Sequence, residues 1–512
     1  MKLNFTKYES RFKIIAFIFL LLYVLLFFAK PITVFGADLG RILKEGELFF
    51  TEGIIIKTNF FSFTTPDYPV VNYHWLGSAF YYMVWSNSGF IGLHLFIITL
   101  QVLPISLYIY KLQRQQQHSL IWFYLTLFLC LPLISIAPQN DTFAFSIAFA
   151  TLFFYLIECY LADQLKYSYL LISLVLLQFI WVNSHIYFWL GWFLPAFALI
   201  QVFIQKNKRS KLGPLLILVL ILLATSLLNP QFIQAWLVPL DILSGNFPML
   251  SKNLQALWTA SYYQNSLLFL YFNSLAIVSL TVTALFYLNR KATSLYIGLT
   301  ALLFIIFGAI YVKNIAFIAL AAVIVLPQIQ STKIGPAFWL NYRSPALLLY
   351  LLIPIWLSAS IYNPLKVSNN FGLGHESHDF ASLAFFKENN LKGNIFSNYD
   401  IAGYLIWGLA ADTKIYIVNR PDAQPDEFYE NAYFPKIQSN AHWHKLKDVS
   451  NLTIIYFKLK GELEDNLLFL GKRLDDGEWA MVYHKQNQEV ILLRRLPEYK
   501  NIIEKFEIKT QN

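Results

Sequence analysis

The chain reads as a polytopic α-helical membrane protein, with about eleven transmembrane helices followed by a C-terminal soluble α/β domain. Three observations carry this reading. Only 13% of the 512 residues are charged and 57% are hydrophobic, whereas soluble domains carry about 25% charge; a water-facing surface cannot be built from that composition. Apolar runs of about 18 residues or more, long enough to cross a hydrocarbon core, recur through the first 360 positions and then stop. Basic residues gather in alternate loops, as the positive-inside rule requires of a chain that crosses repeatedly.

The first apolar run, 14–29, follows Lys2, Lys7, Arg11 and Lys13 and lacks a small-residue cleavage site, so it is expected to be a retained first helix with a cytoplasmic N-terminus. Further spans are expected at 89–110, 119–137, 143–162, 168–182, 187–204, 213–228, 266–288, 295–312, 315–330 and 345–362. The connections then expected inside hold Lys111 and Arg114, Lys166, the run Lys206 to Lys211, Arg290 with Lys291, and Lys333 with Arg343. Those expected outside, at 138–142 and 183–186, have no Lys or Arg, and the turn at 313–314 has only Lys313. An odd number of crossings puts the C-terminal domain outside the cell membrane.

The net charge of +9 divides into +11 over residues 1–362 and −2 over 363–512. The excess therefore belongs to topology-setting loops, and no nucleic-acid partner is expected. Cys130 and Cys159 both fall in apolar runs and are read as core packers, with no disulfide framework.

Two domains follow: a transmembrane domain at 1–362, with long outer loops at 31–88 and 229–265, and an extracytoplasmic α/β domain at 363–512. Both loops far exceed a helix-to-helix turn, which suggests a site on that face. Within the first loop, DLGRILKEGELFF has the pattern of a short interfacial helix and HWLGSAFYYMVW that of an aromatic-rich one. In the C-terminal part, β-rich runs at 393–397, 414–418, 452–457, 479–484 and 489–495 alternate with helical patterns at 377–389, 400–409, 426–436 and 461–470. This pattern predicts a mostly parallel sheet with a final hairpin through KQNQ. It contains no Gly-rich phosphate loop and no GxSxG elbow.

Asp38 heads the candidate residues, because a carboxylate at the outer end of the first span reaches headgroup and water together and can serve as a general base; the competing reading is an acid favoured by a helix N-terminus. Arg41 at i+3 shares its helical face, able to pair with it or to bind phosphate, and Lys44 follows at i+6. His74 belongs to the same outer face, as a site residue or as a histidine bonded to nearby backbone. Lys313 and Asn314 form a two-residue outer turn, where a cation suits a lipid phosphate or simply snorkels. Asn183 and His185 interrupt an apolar run, and Asn229 with Pro230 ends another, positions that also satisfy helix-end backbone. Glu158 is the clear acid inside a span, with pairing near the inner surface as its plainer role.

Taken in order, ADLGRILKEGELF, FFSFTTPDYPVVNYHWLGSAFYY, WVNSHIYFWLG, ATSLLNPQFIQAWLVPL, KNIAFIAL and NYDIAGYLIWGLAADTKIYIVNRPDA cover nearly the whole chain. In this order of motifs the chain resembles bacterial polytopic membrane proteins related to the GT-C glycosyltransferases, the lipid-linked-sugar-dependent class that includes the protein mannosyltransferases. The resemblance implies a seven-helix module, an outer-face cavity between first loop and bundle, and inverting transfer from a polyprenyl-phosphate or polyprenyl-diphosphate sugar, with Asp38 at the catalytic-acid position. Relatives often carry a second acid or a His nearby, where Gly36 and Ile42 stand here. A lone carboxylate is a poor cage for Mg²⁺ or Mn²⁺, so no metal ligand is assigned and no cofactor is expected, metal dependence staying open. The pattern Asn-x-His-Gly-Gly stands here as Asn183-Ser184-His185-Ile186-Tyr187, and Asp-Gly-Arg as Val418-Asn419-Arg420.

The expected function is a membrane glycosyltransferase of the cell envelope, acting among membrane lipids on a lipid-linked sugar and a glycan, lipid or protein acceptor. Asp38 is the catalytic residue, and Arg41, His74, Lys313, Asn314 and His185 bind substrate. A non-catalytic envelope scaffold or glycan-binding protein is the alternative. A lipid or polymer transporter comes third, since the chain shows no convincing internal repeat. The loop charges generate a topology test: reporter fusions after residues 115, 209 and 290 should report cytoplasm, and those after 140 and 365 the outside. A cytoplasmic report at 365 would remove the odd number of crossings.

Overall fold

The structure is a computed structural model that describes residues 22, 24, 27–114, 130–131, 133–135, 138–243, 294–325, 371–376, 380–409, 413–434, 439–459, 464–486 and 488–509. After α1 (Leu39–Glu52) comes α2 (Trp75–Arg114), two helices joined at a kink where Gly89 takes φ 63°. Next in the chain are α3 (Phe143–Leu161), α4 (Tyr167–Val182), α5 (Leu190–Ile204), α6 (Leu212–Thr225), α7 (Gln234–Leu243), α8 (Leu295–Ile310) and α9 (Ala316–Val325). Most of the spans expected at 14–29 and 119–137, and all of those at 266–288 and 345–362, lie outside the described residues.

The chain forms two compact units, one of residues 1–31, 88–228 and 254–374 and the other of residues 32–87, 229–253 and 375–512. Three helical stretches are long and apolar enough to cross a membrane: Trp75–Lys111, which belongs to the first unit from Ser88 on, and Phe143–Leu161 and Ile186–Ile204 within that unit, which also holds the shorter apolar helices α4, α8 and α9. Helix α3 is the interior one, 78% buried against 33% for the first of these stretches. Outer helices instead expose apolar stripes at helical spacing, such as Ile91, Leu95, Leu103 and Leu107 on α2 and Tyr169, Ile172, Leu176 and Phe179 on α4. Such stripes are unfavourable in water and match lipid tails.

Basic loop residues finish the C-terminal end of α3. Lys208 Nζ donates to the Leu161 carbonyl at 2.6 Å and Lys211 Nζ to that of Tyr160 at 2.7 Å, which also accepts from Asp163 N, so cations meet the carbonyl end of the helix. Glu158 is paired with Lys111 at 2.6 Å, the plainer of its two readings. Asn183 likewise closes a helix end, donating to Phe179 O at 2.8 Å and Leu228 O at 3.0 Å. Cys130 and Cys159 are buried free thiols.

In the second unit, α10 (Ala381–Glu388), α11 (Ala402–Gly408), α12 (Asn440–Val449), α13 (Glu464–Asp475) and α14 (Lys500–Phe506) accompany a four-stranded sheet. Its strands are β1 (Asn394–Ser397), β2 (Leu452–Lys458), β3 (Trp479–Lys485) and β4 (Glu489–Arg494), in the order β1-β2-β4-β3. The expected mostly parallel sheet is corrected here: β1–β2 is parallel, while β2–β4 and β3–β4 are antiparallel, because the final hairpin inserts β4 beside β2. The expected strand at 414–418 makes only isolated bridges, from Ile415 to Ile395 on one side and to Ser62 of the first loop on the other. Helices α12 and α14 were not among the sequence expectations. Phe396 of β1 sits within ring contact of Tyr416, Tyr433, Trp443, Phe457 and Phe469, the centre of this unit's core.

Two glycines let α1 lie against backbone. A Cβ on Gly40 would come 2.3 Å from Gly403 O of α11, and one on Gly403 would come 2.5 Å from Ala37 O, so neither helix could carry a larger residue at the crossing. On the same helix, a Cβ on Gly46 would come 2.3 Å from Ser78 O of α2. Gly403→Ala should therefore cost about 1–3 kcal/mol of stability, as overpacking does, read as a lowered apparent melting temperature in detergent. Gly471, on α13 with nothing within 4 Å, is the control: Gly471→Ala should leave that temperature unchanged or raise it. Equal behaviour of the two variants would refute the close approach.

Candidate active site

Helix α1 places Asp38, Arg41 and Glu45 on one face, at i, i+3 and i+7. Asp38 stands at the N-cap position, but its side chain does not cap the helix. It accepts instead from Asn419 Nδ2 at 2.8 Å and lies 3.7 Å from Arg41 Nη2, with its side chain 45% exposed. The carboxylate is thus turned away from the helix end that would have explained it, and toward side-chain partners.

Behind it everything is buried. Arg41 Nη1 donates to Glu45 Oε1 at 2.8 Å and to His74 Nε2 at 3.3 Å. A guanidinium only donates, so Nε2 of His74 is unprotonated and its proton sits on Nδ1, 3.3 Å from both Glu45 Oε2 and Ser78 Oγ. Asn72 Nδ2 adds a donor to Glu45 Oε2 at 3.3 Å. Burial alone would raise the Glu45 carboxyl, yet Arg41, His74 and Arg420 hold it well below the usual carboxylate range. Burial holds His74 below its usual range, against the pull of Glu45 and with the help of Arg420 and Arg41.

A second buried cation comes from the C-terminal segment. Arg420 Nε donates to Asp422 Oδ1 at 2.8 Å, its Nη2 reaches the Val71 carbonyl, and its guanidinium lies 5.1 Å from the Tyr73 ring centre. The other long loop contributes Gln231, which accepts from Asn72 N at 2.6 Å and donates to the Val70 carbonyl. Segment 70–74 is therefore clamped from two directions. Glu45 is committed to Arg41 and His74, and Asp422 to Arg420. Asp38 is the acid of this cluster that remains open to an incoming group. Among the described residues Arg41 Nε, Arg420 Nη1 and Asn419 Oδ1 are buried without hydrogen-bond partners, leaving two donors and one acceptor suited to a ligand. No group of three His, Cys, Asp or Glu side chains suited to a metal ion occurs among the described residues.

The site residues expected from the sequence fall into two groups. Asp38, Arg41 and His74 come together in one unit, with His74 supporting Arg41 and Glu45 rather than opening to solvent. His185, Lys313 and Asn314 belong to the other. There His185 Nδ1 accepts from Ser146 Oγ at 2.8 Å, Ser146 in turn accepting from Trp181 Nε1 at 2.8 Å. Asn314 is fully buried and accepts from Tyr187 OH at 2.7 Å, while Lys313, 41% exposed, lies 3.8 Å from Asp141. Lys44, paired with Glu47 at 2.9 Å, does not join the site. The sequence reading missed Glu45 and Asn72 as parts of the cluster, and noted Asn419 and Arg420 only as motif positions. For Glu45 a signal existed, since it lies four residues beyond Arg41 on the same face.

No protein-family model matches the sequence, and no curated protein matches it. Solved structures do. The archaeal oligosaccharyltransferase AglB from Archaeoglobus fulgidus, in complex with an inhibitory peptide and a dolichol-phosphate, aligns with a TM-score of 0.61 at 12% identity, over 95% of this chain and 74% of that one. ArnT from Cupriavidus metallidurans bound to undecaprenyl phosphate aligns with a TM-score of 0.53 at 12% identity, over 96% and 99%. The chain thus shares its fold with these two structures.

The buried imidazole sets a pH dependence. With its folded pKa held below the ordinary value of about 6.5, His74 binds fewer protons folded than unfolded within that window. Its contribution to stability is present above about pH 6.5 and is lost as pH falls through the window. The melting temperature of the purified protein should therefore drop between pH 7 and 5, and more steeply than that of His74→Gln. Parallel curves would show that His74 is not held neutral.

Proposed function

We propose that the protein is a membrane glycosyltransferase that moves a sugar from a polyprenyl-phosphate-linked donor to an extracytoplasmic acceptor, with inversion at the anomeric carbon. The observation that carries this reading is the half-exposed Asp38 carboxylate on the rim of a buried two-arginine cluster whose other acids are already paired. Asn419 engages Oδ1 of Asp38, leaving Oδ2 to take the proton of an acceptor hydroxyl. The acceptor's hydroxyl oxygen, its proton passed to Asp38, then forms the new bond to the anomeric carbon as the bond to the lipid phosphate breaks. Negative charge grows on the departing phosphate, and the buried guanidinium N–H groups of Arg41 and Arg420 are the donors suited to it. Oriented donors in a water-poor place stabilise such charge without reorganising.

Lys313, on the outer turn before α9, is a further proposed contact for lipid phosphate at headgroup level. The AglB and ArnT structures hold dolichol-phosphate and undecaprenyl phosphate respectively, which supports a lipid-linked donor. The outward orientation of residues 363–512 follows from the loop charges and is part of the same proposal.

The test uses membranes supplied with a polyprenyl-phosphate sugar and an acceptor. Asp38→Asn keeps size and the Asn419 contact but loses the base, so turnover should fall by about 10²–10⁴ with donor binding little changed. Arg420→Lys should weaken donor binding and turnover together, because a phosphate contact is made in the ground state and strengthens as the phosphate leaves. A correctly inserted Asp38→Asn protein with wild-type turnover would end the base assignment.

A further inference from the structure

Besides the cluster around Asp38, the second unit contains an open cavity of about 470 Å³, a size in the range of about 300–1,000 Å³ usual for small-ligand sites. We propose that it binds an anionic saccharide, a sugar unit carrying a carboxylate or phosphate. Its rim carries Lys387 from the last turn of α10, Lys392 just beyond it and Lys414 from the bridge segment at the sheet edge. No acid lines it among the described residues.

That excess is selective, because residues 363–512 as a whole carry −2. Elsewhere among the described residues of this segment seven cations are paired with acids: Arg420 with Asp422, Lys447 with Glu478, Lys458 with Asp400, Arg473 with Asp476, Arg494 with Asp448, Arg495 with Glu507 and Lys500 with Glu504. The side chains of Lys387 and Lys392, both exposed, form no ion pair among the described residues. Lys414 is held in place, donating to the Phe60 carbonyl with its Nζ 3.7 Å from the Phe60 ring centre. Phe63, half-buried, and the buried Phe386, Leu391 and Leu409 supply an apolar lining, while Asn390, Asn394 and Thr413 supply amide and hydroxyl groups. Hydrocarbon for a sugar ring, amides for its hydroxyls and ammonium groups for a negative substituent are the complement of an acidic sugar. A simple inorganic anion would leave the apolar lining unused. The site lies on residues distinct from the Asp38 cluster, so this inference does not rest on the transferase reading.

The full chain in detergent or nanodiscs is titrated with trigalacturonate, glucose 6-phosphate and neutral maltotriose by calorimetry. At least one anionic probe should bind at least tenfold more tightly than maltotriose, and its affinity should fall with added salt. Comparison of the two anionic probes distinguishes a carboxylate from a phosphate source. Lys387→Ala/Lys392→Ala should lose at least tenfold in that affinity with an unchanged melting temperature, since both side chains are exposed. Asp38→Asn should bind the probe as the wild type does, which separates this test from that of catalysis. Binding of no anionic probe, equal binding of maltotriose, or undiminished binding to the double variant would each overturn the proposal.

Discussion

The second unit is organised around one buried ion pair, Arg41 with Glu45 at 2.8 Å. Taking two charges out of water costs several kcal/mol per ion and is repaid only when the remaining donors and acceptors are met. Here Asn72 and His74 meet all but Arg41 Nε among the described residues, with Ser78 beside the imidazole, and that requirement accounts for much of the local architecture. Segment 70–74 must return beside α1, α2 must start at Trp75 with Ser78 facing the imidazole, and Gln231 must secure the returning chain. Breaking such a pair by removing one partner typically costs about 3–5 kcal/mol, because the survivor is left buried and uncompensated.

The pair also explains why α1 carries glycines. To bring Arg41 and Glu45 inward, the helix is pressed between α11 and α2, and at both crossings backbone oxygen occupies the space a Cβ would need. Helix propensity is sacrificed at Gly40 and Gly46, about 1 kcal/mol each relative to alanine, for that closeness. The consequence is chemical. Asn419, on the segment following the bridge at Ile415, reaches Asp38, and Arg420 beside it brings the second cation. A carboxylate left half in solvent at the edge of such a cluster has one oxygen fixed and one available, the arrangement a general base needs.

In the membrane-directed unit the governing constraint is different. Lipid tails cannot satisfy polar groups, so every helix end needs a protein partner. Lys208 and Lys211 supply one for α3, and Asn183 closes α4. Asn314 and His185 are likewise engaged by Tyr187 and Ser146. Their hydrogen bonds are largely internal, whereas Asp38 and Lys313 retain substantial exposure.

Composition, run length and loop charge determined the membrane class by themselves, because hydrocarbon imposes a length and an apolarity that can be counted along the chain. Four of the five expected strand positions in the C-terminal part and the final hairpin were legible for a similar reason, since period-2 patterning and turn residues are local signals, while 414–418 makes only isolated bridges. Sheet direction was not. Whether β4 enters beside β2 or extends a parallel array depends on competition between non-local pairings, which no local pattern records. Asp38 and Arg41 were visible as neighbours on a helix. Only the folded chain decided that Asn419 and Arg420, some 380 positions away, would complete their surroundings, that His74 would be buried as a support, and that three lysines would converge on one cavity. Burial, tautomer and charge balance belong to groups assembled from distant segments, and they exist only once backbone crossings such as that of Gly40 with Gly403 have been made.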